Sequence, residues 1–511
     1  MLSKIKSMAL NGLEGYLVEI QTDISNGIPE FEIVGLPDAS VKEAKKRVAT
    51  AIKNSQIEFP SKKILINLAP ANLRKGGSSF DLSMAIGILI AMGKIALQNI
   101  KNLENTIFLG ELSLDGKINR INGILPMCME AKYLGIKRVI LSRYNANEAA
   151  IIEGIDIVAV SNLQELIEYL NGKKIIEKTI SNSKITNEKY LMDFSEVKGQ
   201  ENVKRALEIA AAGNHNCLLI GPPGAGKTML VKRLNTIMPD LTLDEAIEIT
   251  KIHSIAGELK NDGIITTRPF RMPHHSVTIN TIIGGGRNPK PGEISLAHKG
   301  ILFFDEMPEF NRSILESLRE PLENKEIFIN RLNGNYKFPC DFIFIASMNP
   351  CPCGNYGDTI KECKCTTTEI RRYVNKISEP LLDRIDIHIN VRRAEYEKIN
   401  SKLKSESSAK IKERVNIAKN IQRNRYKKYF ISSNSELSPE LIEKFCNIDE
   451  KGERLLKSAF VKLKLSARAY QTVLKIARTI ADLEMKENIE YTHIAEAIQY
   501  RSLDGKFNNR I

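Results

Sequence analysis

The residues with the clearest chemical pattern follow a short apolar run and precede a segment with helical character. In chain order they are Gly221, Pro222, Pro223, Gly224, Ala225, Gly226, Lys227 and Thr228. Glycines let successive backbone N–H groups turn toward one point, and a helix start adds the positive end of its dipole. A lysine here reaches the β- and γ-phosphates of a nucleotide, and the hydroxyl binds Mg²⁺. The pattern therefore predicts a loop that binds ATP with Mg²⁺.

A second pattern, downstream, is an apolar run over residues 300–304 that ends in Asp305 and Glu306. A buried strand that ends in two carboxylates suits a water-mediated contact to Mg²⁺ from Asp305. Glu306 then serves as the base that orients the attacking water. Alone, such an acid pair is common by chance. After a phosphate-binding loop it predicts hydrolysis of the bound triphosphate.

Four of the eight cysteines form two close pairs, Cys351 with Cys353 and Cys363 with Cys365. In a chain without an export signal, paired cysteines favour a metal over disulfides. Four thiolates on two turns predict a tetrahedral structural Zn²⁺ site that shapes a loop. Reduced thiols without a ligand and an iron–sulfur cluster are the alternatives. The isolated cysteines are interpreted as core residues.

The elements that position these residues belong to a chain of 511 residues, which is too long for one core and predicts two to four domains. The hydrophobic content of 42% is that of a soluble globular protein. The longest apolar run, residues 82–93, is too short to span a bilayer, and no signal-peptide pattern follows Lys4 and Lys6. We therefore expect a cytoplasmic protein that does not enter the membrane.

The formal net charge of +13 is unevenly distributed. Residues 392–428, which we call the basic segment, contain thirteen Lys or Arg and four Glu. Such a segment fits a polyanion such as DNA. A solvated lysine-rich face is an equally good interpretation of the composition.

Hydrophobic periodicity predicts an α+β domain over residues 1–171, a polar linker over 172–190, an α/β core over 191–392, and a basic connector with a helical domain over 393–511. In the first domain, helices are expected over residues 39–55, 82–92 and 124–133, and Asn162 is expected to cap a fourth. Asp115 and Gly116 predict a hairpin turn.

Residues 110–116 and 122–124 resemble the proteolytic domain of Lon-type proteases. That family attacks with a serine activated by a lysine, and the serine's place falls near Ser78 and Ser79. The lysine's place holds Leu125, and a leucine cannot activate a nucleophile. The resemblance implies a Lon-protease-like fold without proteolysis, used for assembly or partner binding. A shifted alignment would bring another residue to the lysine's place, Lys117 or Lys132.

Residues 268–276, 284–287 and 291–298, together with the two nucleotide motifs, closely resemble the magnesium-chelatase-type branch of the AAA+ ATPases. More narrowly, the chain resembles the ComM/YifB family, which joins a Lon-like domain to that ATPase. The resemblance covers nearly the whole chain. It implies an AAA+ P-loop core with a helical C-terminal lid.

The resemblance also implies roles for single residues. Asn349, at the end of an apolar run, fills the place of the first sensor, which positions the attacking water. Arg384 fills the place of the arginine finger that reaches into a neighbouring subunit, with Arg312 as the fallback. The alternative for Arg384 is an internal pair with Asp383 or Asp386. Arg468 fills the place of the second sensor, which closes over the phosphates.

A site completed by a neighbour's arginine implies a homo-oligomeric ring, and the family expectation is a hexamer. The family resemblance implies an ATP-driven helicase that binds single-stranded and branched DNA and promotes branch migration in homologous recombination or natural transformation. The loop of residues 287–290 is expected to contact DNA in the pore. A magnesium-chelatase-like or protein-remodelling ATPase is the alternative, and an ATP-dependent protease ranks below both.

Overall fold

The computed structural model describes residues 2–73, 75–96, 100, 103–180, 191–259, 263–286, 289–331, 334–358, 360–393 and 405–501. These form two compact units. The N-terminal unit comprises Met1–Thr186 together with two later segments, Leu243–Thr266 and Phe328–Phe338. The remainder of the chain forms the C-terminal unit. The second half of the predicted linker, residues 181–190, lies outside the described residues.

The N-terminal unit is built on a seven-stranded mixed sheet with strand order β3-β4-β2-β1-β5-β8-β9. These strands and the short pair β6 and β7 are β1 (Leu2–Asn11), β2 (Glu14–Ser25), β3 (Glu30–Val34), β4 (Lys63–Ala69), β5 (Thr106–Leu109), β6 (Glu111–Leu112), β7 (Ile118–Asn119), β8 (Arg138–Ser142) and β9 (Asp156–Val160). As predicted, β6 and β7 pair across the Asp115–Gly116 turn, where Gly116 has a φ of 85°.

Within the described residues, five helices accompany these strands: α1 (Ala39–Asn54), α2 (Asp81–Ala91), α3 (Ile124–Tyr133), α4 (Ala146–Ala149) and α5 (Leu163–Leu170). The side chain of Asn162 caps α5, as predicted, by accepting a hydrogen bond from the amide of Glu165 at 2.8 Å. Helix α2 is buried on all sides, because its sequence is almost entirely apolar.

The unit also contains helix α8 (Leu243–Ala256), which the sequence analysis did not predict. The buried carboxylate of Glu148 accepts hydrogen bonds from the hydroxyl of Ser254 in α8 and from the amide of Leu125 in α3, the latter at 3.1 Å. Burial raises the pKa of Glu148. One buried carboxylate therefore joins α8 to the rest of the unit.

The C-terminal unit contains a five-stranded, fully parallel sheet with strand order β11-β14-β17-β10-β18. Its strands are β10 (Cys217–Ile220), β11 (Phe270–Arg271), β14 (Ile301–Phe304), β17 (Ile343–Met348) and β18 (Ile387–Asn390). The same unit contains a small two-stranded sheet, β12 (Gly284–Gly285) with β13 (Lys290–Pro291). A second pair, β15 (Glu326–Arg331) with β16 (Gly334–Pro339), lies mostly in Phe328–Phe338 and thus in the N-terminal unit. Parallel sheets are buried on both faces, which explains the continuous apolar runs of β10, β14 and β17.

Helices of the same unit lie before and between these strands in the chain. They are α6 (Glu201–Gly213), α7 (Lys227–Leu234), α9 (Ile279–Ile283), α10 (Glu293–Leu296), α11 (Arg312–Ser317), α12 (Arg319–Asn324), α13 (Thr367–Val374) and α14 (Glu379–Leu382). The described C-terminal region, residues 405–501, is helical, as predicted, with α15 (Ser408–Tyr426), α16 (Pro439–Phe445), α17 (Glu450–Leu463), α18 (Ala467–Leu483) and α19 (Tyr491–Gln499). The α/β class, with a parallel core and a helical C-terminal region, is confirmed.

Candidate active site and cysteine cluster

The glycine-rich loop connects β10 to α7, so the amide groups at the start of α7 face the same side as the loop. Gly224 and Gly226 have φ of 76° and 85°, a conformation that side chains resist. A Cβ at Gly221 would collide with the carbonyl oxygen of Val391. Each of these three positions therefore requires glycine, in agreement with a phosphate-binding loop.

The acid pair follows β14, next to this loop. The hydroxyl of Thr228 donates a hydrogen bond to Asp305 Oδ2 at 2.8 Å, and Ser347 donates to the other carboxylate oxygen. A threonine hydroxyl beside a carboxylate is an oxygen donor set that suits Mg²⁺. Thr228 and Asp305 are therefore the residues that would hold the ion.

Lys227 and Asn349 meet at the centre of the site. The Lys227 ammonium lies 3.0 Å from Asn349 Oδ1, 2.5 Å from the Gly221 carbonyl and 3.1 Å from the Pro222 carbonyl. Burial lowers the pKa of Lys227, and the carboxylates of Asp305 and Glu306 oppose that change. The contact places Asn349, at the end of β17, directly beside the phosphate loop.

A cavity of about 390 Å³ opens beside the loop and adds space for the rest of a nucleotide. Its lining residues are Glu196, Val197, Lys198, Gln200, Gly224, Ala225, Gly226, Met229, Leu230 and Arg393. The lining combines apolar side chains with a few polar groups, which is common for small-molecule sites.

The two predicted arginines lie together on one carboxylate. Arg384 donates a hydrogen bond to Glu323, and its Nη1 lies 2.8 Å from the carbonyl oxygen of Pro380. Arg468 Nη1 lies 3.7 Å from the other oxygen of Glu323. Within the described residues, neither guanidinium has a hydrogen bond or ion pair with the phosphate loop. Arg384 thus pairs within its own chain, but with Glu323, a residue other than the Asp383 and Asp386 of the alternative.

The four paired cysteines also come together. The Sγ atoms of Cys351, Cys353 and Cys363 are separated by 3.4, 3.7 and 3.6 Å, and all four sulfurs, including Cys365, lie within 4.8 Å of one another. Four thiolates around Zn²⁺ at about 2.3 Å lie about 3.8 Å apart. Backbone amides of Asn355 and Lys364 lower the pKa of Cys353 to about 6, whereas burial raises the pKa of Cys351 to about 12. The donor set and spacing fit a zinc ion.

The basic segment is less basic at its surface than its composition indicates. In its described part, residues 392–393 and 405–428, Lys419 is buried and several cations pair with carboxylates of the same unit. The pairs are Arg393 with Asp358 at 3.1 Å, Lys412 with Asp240 at 2.5 Å, Arg414 with Glu208 at 2.6 Å, and Arg425 with Asp482 at 2.5 Å. Residues 394–404 lie outside the described part.

Comparison with known proteins agrees with this geometry. Models of the magnesium chelatase ChlI subunit match residues 20–145 and 193–399, and a model of its C-terminal region matches residues 405–501. Competence protein ComM of Haemophilus influenzae is 40% identical over 507 residues, which is 98% of each chain. A YifB protein of Salmonella typhimurium is 40% identical over 504 residues, 98% of this chain and 97% of its own. The chain belongs to the ComM/YifB family.

Membership of the ComM/YifB family, with its magnesium-chelatase-type AAA+ domain, implies an ATPase that uses ATP and Mg²⁺ and a protein of an oligomeric class. Lon protease 2 of Bacillus subtilis is 30% identical over 174 residues, which is 30% of each chain and supports the Lon-like N-terminal domain. Within the described residues, every helix is too short or too polar to cross a membrane.

In the Lon-like part of this ComM/YifB protein, Leu125 is fully buried near the start of α3. The side chains of Lys117 and Lys132 are exposed, and Lys117 pairs with Asp115 at 2.9 Å. Ser79 is largely buried before α2. The absence of protease chemistry stays a prediction.

Two residues of the site, Ser347 and Glu323, were not predicted from the sequence. Ser347 lies inside the apolar strand β17, where one serine in a hydrophobic run resembles an ordinary core residue. Glu323 belongs to a helix with several charged residues, and no spacing distinguishes it from its neighbours. Both are recognised only when distant segments come together.

Proposed function

We propose that this ComM/YifB-family protein is an ATP-driven ring motor that acts on DNA. Its reaction is the promotion of branch migration in homologous recombination or natural transformation, in the cytoplasm. The observation that carries the proposal is the assembly of one site from the ends of β10, β14 and β17. Similarity to Competence protein ComM over 98% of both chains supports the biological context.

In the proposed reaction, the phosphate loop binds the triphosphate through its amides and Lys227, and the cavity accommodates the nucleoside. Thr228 and Asp305 would hold Mg²⁺, which when bound supplies the positive charge that neutralises the phosphates. Ser347 fixes the Asp305 carboxylate and so preserves its orientation. These residues bind and orient the substrate.

Glu306 accepts the proton of the attacking water, and Asn349 fixes the position of that water. Glu306 is exposed beside the phosphate loop, which leaves room for a water molecule between the carboxylate and the γ-phosphate. Positioning and charge stabilisation account for most of the rate in phosphoryl transfer.

Arg384 completes the site of the neighbouring subunit, and Arg468 acts as the second sensor. The shared contact with Glu323 gives both guanidinium groups a carboxylate partner within their own chain. Completion of each site by a neighbour requires a head-to-tail interface, and we propose that this assembly closes into a ring of six subunits.

DNA contacts are proposed for the loop of residues 287–290, of which Lys290 is exposed and Arg287 and Asn288 lie outside the described residues. The formal net charge of +13 favours a polyanion, whose phosphates supply binding independent of sequence. The four clustered cysteines are proposed to hold a structural Zn²⁺.

The test is ATP turnover of the full chain without DNA and with single-stranded, duplex or branched DNA, each at two salt concentrations. The expected result is stimulation that is greatest with the branched junction and decreases as salt rises. Turnover that no DNA stimulates would contradict the DNA motor while leaving the ATPase intact.

A magnesium-chelatase-like or protein-remodelling ATPase is the second candidate, favoured by the family models and by a Cereibacter sphaeroides magnesium-chelatase subunit that is 25% identical over 177 residues. ATP-dependent Mg²⁺ insertion into a porphyrin, with partner subunits supplied, would support it. Casein degradation abolished by Ser79→Ala would instead support a protease.

A further inference from the structure

The loop that carries the four cysteines, residues 351–365, is called the cysteine loop; Thr359 lies outside its described part. It begins directly after Met348, Asn349 and Pro350, at the end of β17. It ends at Thr366, whose side chain caps α13 in a reciprocal contact with Glu369. Both ends are thus fixed, one beside the phosphate site and the other at a helix start.

The cysteine loop lies directly on the phosphate loop. At Gly354, which has a φ of 80°, a Cβ would lie 2.5 Å from Cδ and 2.8 Å from Cγ of Pro223. Since side chains essentially never approach that closely, the backbone of Gly354 is in contact with the proline ring. Pro223 precedes the glycines that turn the amides toward the phosphates, so this contact supports the part of the loop that binds them.

The same loop contacts a residue lining the nucleotide cavity. The Asp358 carboxylate is buried, with 4% of its side chain exposed, and lies 3.1 Å from Nε of Arg393. Arg393 lines the cavity beside the phosphate loop. The cysteine loop therefore supports the nucleotide site at two places, Pro223 and Arg393.

The described part of the cysteine loop has no helix or strand, and the internal hydrogen bonds of its first half are local, such as those from the amides of Gly354 and Asp358 to the carbonyls of Cys351 and Asn355, each at 3.0 Å. The four cysteines bring the two ends of the loop together, Cys351 and Cys353 against Cys363 and Cys365. A metal ion bound by their deprotonated thiols would crosslink these two ends rigidly. Without that crosslink, Gly354 and Asp358 would lose the support that keeps them in place.

We propose that a Zn²⁺ ion bound by Cys351, Cys353, Cys363 and Cys365 controls nucleotide affinity, by holding the cysteine loop against Pro223 and Arg393. The metal performs no step of hydrolysis. Its occupancy sets the shape of the phosphate loop. This inference rests on the proposed binding of ATP, and it adds a metal dependence to that site.

The decisive comparison uses two glycines of the cysteine loop. Gly354 and Gly357 have φ of 80° and 76°, so alanine introduces nearly equal backbone strain at each. Only at Gly354 does the added Cβ meet another residue; at Gly357 nothing lies within 4 Å. Each purified full-length variant is measured for zinc by elemental analysis and for the dissociation constant of a fluorescent ADP analogue.

We expect Gly354→Ala to retain zinc and to weaken nucleotide binding about tenfold. Gly357→Ala is expected to retain both zinc and affinity. Replacement of Pro223 by alanine removes the ring atoms that the new Cβ meets. The Pro223→Ala background should therefore lose most of the effect of Gly354→Ala, which separates the contact from a general folding defect.

Removal of the metal is tested with Cys353→Ser, and Cys340→Ser, a buried cysteine outside the cluster, is the control. Cys353→Ser should lose zinc and bind the ADP analogue more weakly, whereas Cys340→Ser should match the wild type. Unchanged nucleotide affinity in zinc-free Cys353→Ser, or in Gly354→Ala, would overturn the proposal, as would wild-type protein without zinc. Wild-type protein that binds zinc but no nucleotide would instead refute the proposed ATPase function.

Discussion

Glu306 has a left-handed backbone conformation, with a φ of 54°, directly after Asp305. Such a conformation costs a residue with a side chain roughly 1–2 kcal/mol, and strain of this kind concentrates at functional sites. The amide of Glu306 donates a hydrogen bond to Ser347 Oγ at 3.2 Å. The neighbouring strand therefore fixes the direction in which the carboxylate leaves the backbone.

Glu306→Gln removes the proposed base but keeps the shape of the side chain. We expect ATP to bind with near-normal affinity while turnover falls by about 10²-fold or more, because a general base contributes that much. Glu309→Gln, three residues along, removes a carboxylate that pairs with Lys376 at 3.2 Å and should retain normal turnover. Steady-state ATPase rates and binding of a nucleotide analogue check both, and normal turnover in Glu306→Gln would refute the assignment.

Ser347→Ala removes the hydroxyl that contacts Asp305 and leaves the amide of Glu306 without its partner. Turnover should fall and the Mg²⁺ concentration for half-maximal activity should rise, because the carboxylate loses its fixed orientation. Ser295→Ala is the matched control. Ser295 is buried like Ser347, but unlike Ser347 its Oγ forms no hydrogen bond within the described residues. A Mg²⁺ titration of the ATPase rate distinguishes the two, and equal titration curves would argue against the role of Ser347.

At this scale the sequence predicted the residues that belong to continuous motifs. Lys227, Thr228, Asp305 and Asn349 each stand at a strand end or helix start, and the contacts of Lys227 with Asn349 and of Thr228 with Asp305 unite the three segments. Residue roles inferred from family resemblance, including those of Arg384 and Arg468, stay predictions. The carboxylate that both arginines contact has no local pattern.

Helix α12 supplies that carboxylate through Glu323, the turn after α14 supplies Arg384, and α18 supplies Arg468. The Arg384 hydrogen bond lowers the pKa of Glu323, so the carboxylate is charged at neutral pH. Arginine suits this position because its planar fork can move from one set of oxygens to another without losing its charge.

Arg384→Ala is therefore expected to bind ATP normally and assemble, but to lose most hydrolysis, because arginine fingers contribute about 10³-fold or more. Arg454→Ala, which removes an exposed arginine of α17, is the control. In rings that mix Arg384→Ala subunits with Lys227→Ala subunits, the first kind has an intact phosphate loop and the second an intact Arg384. Where the two kinds are neighbours in the right order, a complete site forms, so part of the activity should return. Mixed rings without any recovery would contradict action on a neighbour.

Among the elements, helices with clear periodicity were predicted well: 39–55 became Ala39–Asn54, and 124–133 was correct. Strand β1 was missed because two of its inward positions are serines. Ser3 and Ser7 donate buried hydrogen bonds to the carbonyls of Gly87 and Phe108, at 2.8 and 3.0 Å. Such satisfied polar residues interrupt the alternation by which strands are recognised.

One buried charge, on Lys419, makes the stability of the C-terminal unit depend on pH. Burial of Lys419 in α15 lowers its pKa from 10.5 to about 8. The charged groups that act on it are Glu436, Arg268, Asp341 and Arg423. Below about pH 8, Lys419 is protonated in both the folded and the unfolded state. Between about pH 8 and 10.5 it is neutral in the folded state but still protonated in the unfolded state. The contribution of Lys419 to the free energy of unfolding therefore increases as pH rises through this range.

Lys419→Met removes this titration. The free energy of unfolding of the wild type relative to the variant should be constant below pH 8 and increase, by at most roughly 3 kcal/mol, as pH rises toward 10.5. Urea unfolding at several pH values measures the difference, and Lys410→Met, an exposed lysine at the same helix, is the control. Parallel curves for wild type and Lys419→Met would contradict the pKa change.

The N-terminal unit combines segments that lie far apart in the chain, and this affects how the protein folds during synthesis. Ile247 and Ser254 of α8 pack against its core and its buried Glu148, yet they follow the phosphate loop in the chain. The ribosome must therefore translate beyond the nucleotide-binding motif before this unit has all its parts, and Phe328–Phe338 arrives later still. Until then the apolar residues that α8 covers stay exposed on the nascent chain, so we expect chaperones to bind it. A gene fragment that stops at the linker would encode the same unfinished state permanently.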